Sequence, residues 1–357
     1  MCLSSPSCEF SELSEGDTKN SCDERAQQDF SPKKFVKNVM NKGFKTICDN
    51  DTDGLKNNEL PPFYNEQMFK RGQAFFHQNI FGMCLGSLLG LMATLSNQSG
   101  LAVLIMTKMS SSDYSAYKRY MSTIFHMLIW YDSEFKPGAS LWTSLHCVKT
   151  KHNCVSKKAA TVLQYQINQR DMILAQWGFM GIAVSRPEFV GIYDKSQEKW
   201  KCFAHLWKVI GYLLGITEEF NICRDSLEET RAICNEIAIE VLKPQIAKRE
   251  ERYIKMCEHL LNGLWSISPI LEFNSFMFYM NATLIKSTES ISDQNEEYKK
   301  LTWDQKARLQ IILFVMDNMR YSIVRVLLRY SQYFTFWLVK HFNCLSWWQF
   351  GVKKLKV

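Results

Sequence analysis

The chain has 357 residues, of which 46% are apolar and 13% aromatic, so it can bury a substantial core. Its eight prolines are spread thinly, which favours long helices over a many-turned β architecture. The twelve cysteines include no CxxC pair, which argues against a cysteine zinc cluster or a thioredoxin-type motif. We therefore expect an all-α protein with reduced cysteines.

Three parts of the chain are predicted. Residues 1–58 are expected to form a disordered or weakly ordered leader, because their first half is rich in serine and acidic residues and lacks the apolar segment of a signal peptide. Pro61 and Pro62 mark the entry to the folded part. Residues 59–262 are predicted to form a helical domain, and residues 263–357 to add C-terminal helices that complete this single large domain.

Helical spacing of apolar residues runs through most of the folded part. It predicts helices over residues 64–79, 113–130, 140–160, 169–184, 198–214 and 304–339, and one or two helices over residues 226–262 with a kink at Pro244.

Residues 80–95 form an uncharged apolar stretch, shorter than the ~20 residues that span a bilayer. Both a buried core hairpin and a membrane-inserted segment are compatible with it. Gly82, Gly86 and Gly90 recur every fourth residue, which would let another helix approach closely in either setting.

The positive charge is concentrated at the C-terminal end. From Asn318 onward the chain has no acidic residue, and aromatic rings alternate with basic residues, namely Arg320, Arg325, Arg329, Lys340, Lys353, Lys354 and Lys356. Basic residues among aromatic rings are typical of a membrane interface with anionic lipid. A nucleic-acid partner is not expected, because the apolar content is too high for a solvated phosphate-binding surface.

One predicted helix carries a histidine on an apolar stripe. Leu141, Leu145, Val148, His152 and Val155 recur at spacings of four and three, whereas lysines, including Lys149, are expected on the wet flanks. An imidazole that faces the interior needs a hydrogen-bond partner or a metal. A core histidine bonded to a carbonyl and a metal ligand both satisfy this pattern.

The preceding helix carries a polar stripe, formed by Arg119, Thr123, His126 and Trp130. A solvated face is one interpretation. The other is an anion site, because arginine pairs bidentately with carboxylates and threonine can bond a ligand or water.

These two helices resemble the catalytic domain shared by the rubber oxygenases (latex-clearing proteins) and the endoplasmic-reticulum-bound oxygenase of mycophenolic acid biosynthesis, in an arthropod-type form. The similarity covers about residues 60 to 240. Its motifs are R-x-x-x-T from Arg119 to Thr123, V-K-x-x-H from Val148 to His152, Q-x-D-M-x-x-x-Q-x-x-F-x-G from Gln169 to Gly181, and W-K-V-I-G-Y-L-L-G-I from Trp207 to Ile216.

The resemblance implies a helical fold around a buried haem b. His152 takes the place of the iron ligand, Arg119 and Thr123 lie beside the haem as the catalytic candidates, and Arg119 and Lys149 help to bind it. The implied activity is a haem-dependent oxidation of a lipophilic substrate, isoprenoids included, by dioxygen. The implied location is a membrane surface facing the cytosol, with the endoplasmic reticulum as one candidate.

The chain departs from the family pattern at three positions. Ser122 stands where the rubber oxygenases have lysine, residues 101–106 are apolar where they have a catalytic glutamate, and Lys149 replaces an arginine. A catalytically inactive, membrane-associated lipid-binding or scaffold protein with the same fold is therefore the alternative. Asp171 is expected to form a structural pair with Arg119 or Lys149, and His205 to pack in the core or line the pocket.

Overall fold

The regular structure of the chain is helical throughout the part that the computed structural model describes. The only β-type contact in that part is an isolated antiparallel bridge between Ile47 and Asn168. From Pro32 onward the described residues belong to one compact unit, so the expected all-α fold is confirmed. The described residues are 30–48, 55, 59–285, 295–342 and 344–351.

The α-helices are numbered in chain order. Two π-helical segments, Val39–Gly43 and Ile237–Leu242, follow α1 and α9 directly. The bounds are α1 Pro32–Asn38, α2 Glu66–Gln78, α3 Ile80–Thr94, α4 Gln98–Thr107, α5 Asp113–Asp132, α6 Ser140–Leu163, α7 Gln169–Ser185, α8 Gln197–Leu213, α9 Leu227–Glu236, α10 Lys243–Ala247, α11 Glu251–Leu264, α12 Phe273–Ile285, α13 Glu296–Lys299, α14 Trp303–Asn318, α15 Ser322–His341 and α16 Cys344–Phe350.

The centre of the core is formed by α3 against α7 and by α2 against α8. Helix α3 approaches α7 so closely that a Cβ on Gly90 would lie 2.1 Å from the carbonyl oxygen of Gly178. A Cβ on Gly82 would similarly lie 2.4 Å from the carbonyl oxygen of Val190. Gly90 therefore serves the close helix approach that its spacing predicts, and Gly82 allows a close approach to the segment that follows α7.

Helices α2 and α3 meet at Asn79 with a bend of 91°. Within the described residues, no individual helix has both the length and the apolar composition to cross a bilayer, although this bent pair does when its two members are taken together. Most of α3 is buried against other helices of the domain, as expected for a core segment.

Helical structure is present before the predicted boundary at residue 59. Residues 32–38 form α1, which packs against α9, and Val36 and Val39 are buried. The predicted leader therefore contains a short helix that belongs to the core. Its apolar face is too short for the sequence pattern to predict a helix there. Residues 1–29 lie outside the described part.

The late helices are more broken than their apolar pattern predicts. The predicted helix over 304–339 is two helices, α14 and α15, separated at Met319–Tyr321. Over residues 226–262, where one or two helices were predicted, the main break lies at Lys248–Glu250, where Arg249 has φ +47°. Pro244, the predicted kink, lies in the first turn of α10. Helix α12 was not predicted.

Candidate functional site

Helices α5 and α6 carry the residues that the sequence singles out, and they pack against each other. Helix α5 begins at a capping box in which Ser112 and Ser115 bond each other's backbone amides. Ser144 of α6 is buried between the helices, where its hydroxyl accepts from Trp130 Nε1 at 2.9 Å and lies 2.7 Å from His126 Nδ1. The polar stripe of α5 thus faces α6 and is not simply a solvated surface.

His152 lies on α6 and is half-buried as a residue, but its Nδ1 is fully buried and has no hydrogen-bond partner among the described residues. Burial, and then the charges of Arg119 and Lys151, lower the pKa of His152 to about 4. The imidazole is therefore neutral at pH 7, with a free lone pair available on one of its nitrogens.

Arg119 and Thr123 lie one turn apart on α5, as their spacing requires. The Arg119 guanidinium lies close enough to His152 to lower its pKa, and it donates to Ser110 Oγ at 3.4 Å. The Thr123 hydroxyl donates to the carbonyl oxygen of Arg119 at 3.1 Å, which leaves its oxygen able to accept another hydrogen bond.

Lys149 was predicted on a wet flank of α6, and this prediction is wrong, because only 6% of the residue is exposed. Compared with the predicted stripe, the buried face of α6 is shifted toward Lys149, Ser156 and Ala159. Val148 and Val155, which belong to the predicted stripe, are only half-buried. Lys149 and His152 are three residues apart and therefore neighbours on the helix surface. The second cation that acts on the imidazole, after Arg119, is Lys151 and not Lys149.

A large apolar cavity lies on the other side of α5. It has a volume of about 370 Å³, within the range of small-molecule sites. Helices α3, α5, α14 and α15 and the connection between α11 and α12 enclose it. Its lining includes Phe81, Leu85, Leu88, Ile124, Leu128, Ile267, Leu271, Val315, Leu328 and Phe336, with Thr123, Ser87, Ser268 and Gln332 among its few polar members.

Of the predicted site residues, only Thr123 lines this cavity, whereas Arg119, Lys149 and His152 do not. Thr123 lies at the edge between the cavity face of α5 and the face toward α6. Sequence reasoning missed the cavity because its walls come from five distant parts of the chain. Each wall alone has the apolar pattern of ordinary core.

Asp171 and His205 serve the fold. The Asp171 carboxylate accepts hydrogen bonds from Asn97 at 3.1 Å, from Ser99 at 3.0 Å and from the Tyr165 hydroxyl, so the predicted pairing with Arg119 or Lys149 is wrong. His205 Nε2 accepts from the backbone amide of Asn65 at 3.1 Å, and His205 does not line the apolar cavity.

A haem iron needs only one imidazole from the protein, so a cluster of ligands is not required. In the part of the chain that the structure describes, no three or more His, Cys, Asp or Glu side chains are grouped to hold a metal ion. Two features beside His152 would suit a haem, namely a neutral imidazole whose buried Nδ1 has no partner and the cation of Arg119, which could pair with a propionate. The space for a porphyrin is not present, because His152 lines neither the apolar cavity nor the two polar clefts of the described residues.

The lowered pKa of His152 predicts a pH-dependent stability of the haem-free protein. Between its usual pKa of 6.5 and about 4, the unfolded chain binds a proton at this site that the folded chain does not. The free energy of unfolding should therefore fall as the pH falls through this window. Denaturant unfolding at several pH values should show a smaller fall for His152→Gln than for the wild type, and parallel curves would contradict the prediction.

Comparisons of this chain with protein-family models, with curated proteins and with solved structures found no match. The resemblance to the rubber-oxygenase family thus stands on the motifs of α5 to α8 alone and stays a prediction.

Proposed function

We propose that the protein is a haem-dependent oxidoreductase of the oxygenase type, acting on a lipophilic substrate at a membrane surface. The observation that carries the proposal is the buried Nδ1 of His152, which has no partner among the described residues and belongs to a neutral imidazole. An unpartnered buried polar nitrogen costs on the order of 1–3 kcal/mol, and an iron ligand bond would remove that cost.

A haem bound at His152 would supply the iron at which dioxygen is activated. The chain's own residues have separate tasks. His152 stays unprotonated and so able to bind iron, and Arg119 places a positive charge beside it for an anionic group. Thr123 presents a hydroxyl at the edge of the apolar cavity, where it can orient a polar atom of the substrate.

The membrane part of the proposal is supported by α15. Ile323, Leu327, Tyr330, Phe334 and Trp337 recur at helical spacing and are between 49% and 70% exposed, so they form an outward apolar stripe. Arg320, Arg325, Arg329 and Lys340 are interspersed with them. This combination suits the interface of an anionic cytosol-facing membrane, with the endoplasmic reticulum as one candidate. Lys353, Lys354 and Lys356 lie outside the described residues.

A lipid-binding or scaffold protein without catalysis is the second candidate. It is favoured by the separation of the apolar cavity from His152, and by the exposed Ser122 in the position of the family's lysine. Such a protein would hold a lipophilic molecule in the cavity without any role for iron or dioxygen.

Titration of the purified full chain with haemin, followed by oxygen-electrode measurements, separates the two candidates. We expect a Soret band at a ratio of one haem per chain, and oxygen uptake when squalene is supplied in phosphatidylcholine vesicles. Binding of haem without oxygen uptake by this or any other isoprenoid lipid would favour the second candidate. A chain that takes up no haemin would rule out the oxidoreductase.

A further inference from the structure

A polar cleft lies at the first turns of α15, the helix whose later turns line the apolar cavity. Its volume is about 240 Å³, and it is lined from α15 by Ser322, Arg325 and Arg329 and from the opposite side by Gln78, Asn79 and Asp194. All these side chains can form hydrogen bonds, in contrast to the hydrocarbon lining of the cavity.

The two arginines of the cleft form no ion pair with a carboxylate among the described residues, although Arg325 lies near enough to Asp194 for its charge to act on that carboxylate. Arg329 has no hydrogen bond or ion pair among the described residues, and its guanidinium lies 5.2 Å from the ring centroid of Tyr330. Arg325 donates to the carbonyl oxygens of Met319 and Arg320, at 2.7 and 2.8 Å, and to a serine hydroxyl.

Asp194 is the only acid that lines the cleft, and its ion pair is with Lys199, not with either arginine. It lies 2.7 Å from Lys199 Nζ and also accepts from the backbone amide of Ser196 at 2.9 Å. The cleft therefore carries a positive surplus, and an anion of one or two charges would balance it.

The cleft and the apolar cavity share no lining residue, but the same two helices and the end of α14 connect them. Leu328 of α15 lines the cavity and lies between Arg325 and Arg329 in sequence. Asn79 lines the cleft and Phe81, two residues later, lines the cavity. Tyr193 of the cleft donates its hydroxyl to the carbonyl oxygen of the cavity residue Met316 at 3.3 Å.

We propose that cavity and cleft together bind an anionic single-chain amphiphile. Its hydrocarbon chain fills the cavity, and its carboxylate or phosphate pairs with Arg325 and Arg329. The inference rests on the proposed function for the lipophilic cavity, and it adds a charged head group to the substrate class. A neutral hydrocarbon would leave the arginine pair without a ligand.

Binding of four probes to the purified full chain tests this proposal by calorimetry, at concentrations below micelle formation. Oleate and oleyl phosphate should bind at least about tenfold more tightly than methyl oleate, because only they pair with the arginines. Inorganic phosphate alone should bind far more weakly than oleyl phosphate. In Arg325→Gln/Arg329→Gln, the affinity for oleate should fall to that for methyl oleate, whose own affinity stays unchanged.

Arg320→Gln is the matched control, because Arg320 lies just before α15 and is paired with Asp317 at 2.8 Å outside the cleft. It should bind oleate like the wild type. Arg329→Gln alone, which loses no hydrogen bond, keeps the test valid if the double variant fails to fold. Equal affinities for oleate and methyl oleate, unchanged in both variants, would overturn the head-group site, as would phosphate binding as tight as that of oleyl phosphate.

The outcome of this binding test is independent of the outcome of the haem experiment. Haemin binding at His152 should be the same in the wild type and in both cleft variants. A wild type that shows a Soret band but binds neither oleate nor methyl oleate would refute the amphiphile proposal and leave the haem proposal standing.

Discussion

Alanine in place of His152 should abolish the Soret band that haemin produces with the wild-type chain. The imidazole is the one protein ligand that the proposal gives to the iron, so its removal should weaken haemin binding by about a hundredfold or more. Added imidazole should restore part of the band, because a small ligand can occupy the space that the side chain leaves. An absorption titration of both proteins with haemin measures the effect.

Two histidines serve as controls for this experiment. His146 is exposed and lies on the same helix, so His146→Ala should keep the band. His126 on α5 is the rival ligand, since it faces α6 and burial, followed by the charge of Lys151, lowers its pKa. If the Soret band survives in His152→Ala and disappears in His126→Ala, the iron ligand is His126 on α5, and the assignment of His152 as the ligand is contradicted.

Local signals predicted the helices of the site well. The bounds predicted for α5, α7 and α8 agree with the structure to within two residues, because Ser112, Asn168 and Ser196 cap their N-termini with side-chain hydrogen bonds. Helix α6 ends three residues later than predicted, at Leu163 before Gln164 in the left-handed region. Gln164 is not the glycine that commonly ends a helix in this conformation, so the sequence does not indicate where α6 ends.

The orientation of α6 was predicted less well, because buried polar residues do not stand out in an apolar pattern. Ser144 bonds to Trp130, and the Ser156 hydroxyl accepts from the backbone amide of Ile167 at 3.1 Å. Each is buried because its hydrogen-bond partner lies outside α6, on α5 or in the connection to α7. The apolar stripe through Val148 and Val155 therefore placed Lys149 on the wrong side.

The break between α14 and α15 had no sequence signal, since Met319, Arg320 and Tyr321 include neither proline nor glycine. Its cause is tertiary. Met319 is 3% exposed and would lie 2.2 Å from a Cβ on Gly191, which has φ +72°. Residues of both α14 and α15 line the cavity, so it could not be predicted from the pattern of either helix alone.

Gly90→Ala should destabilise the fold by on the order of 3 kcal/mol. The added Cβ would lie 2.1 Å from the carbonyl oxygen of Gly178 and 2.8 Å from its carbonyl carbon, both of which are backbone atoms of α7. Neither atom can move as the end of a flexible side chain can, so α3 and α7 must separate along their shared face. Separation loses packing in the middle of the core, and the midpoint of thermal or denaturant unfolding reports the loss.

Gly86→Ala is the matched control on the same stripe of α3. Its Cβ would meet the Cβ of Ala183 at 3.5 Å, an ordinary contact, and alanine favours a helix interior over glycine by about 0.5–1 kcal/mol. The free energy of unfolding of this variant should therefore stay within about 1 kcal/mol of that of the wild type. Equal destabilisation by both substitutions would mean that the two helices do not approach at Gly90 more closely than at Gly86, and the packing of α3 on α7 would need a different register.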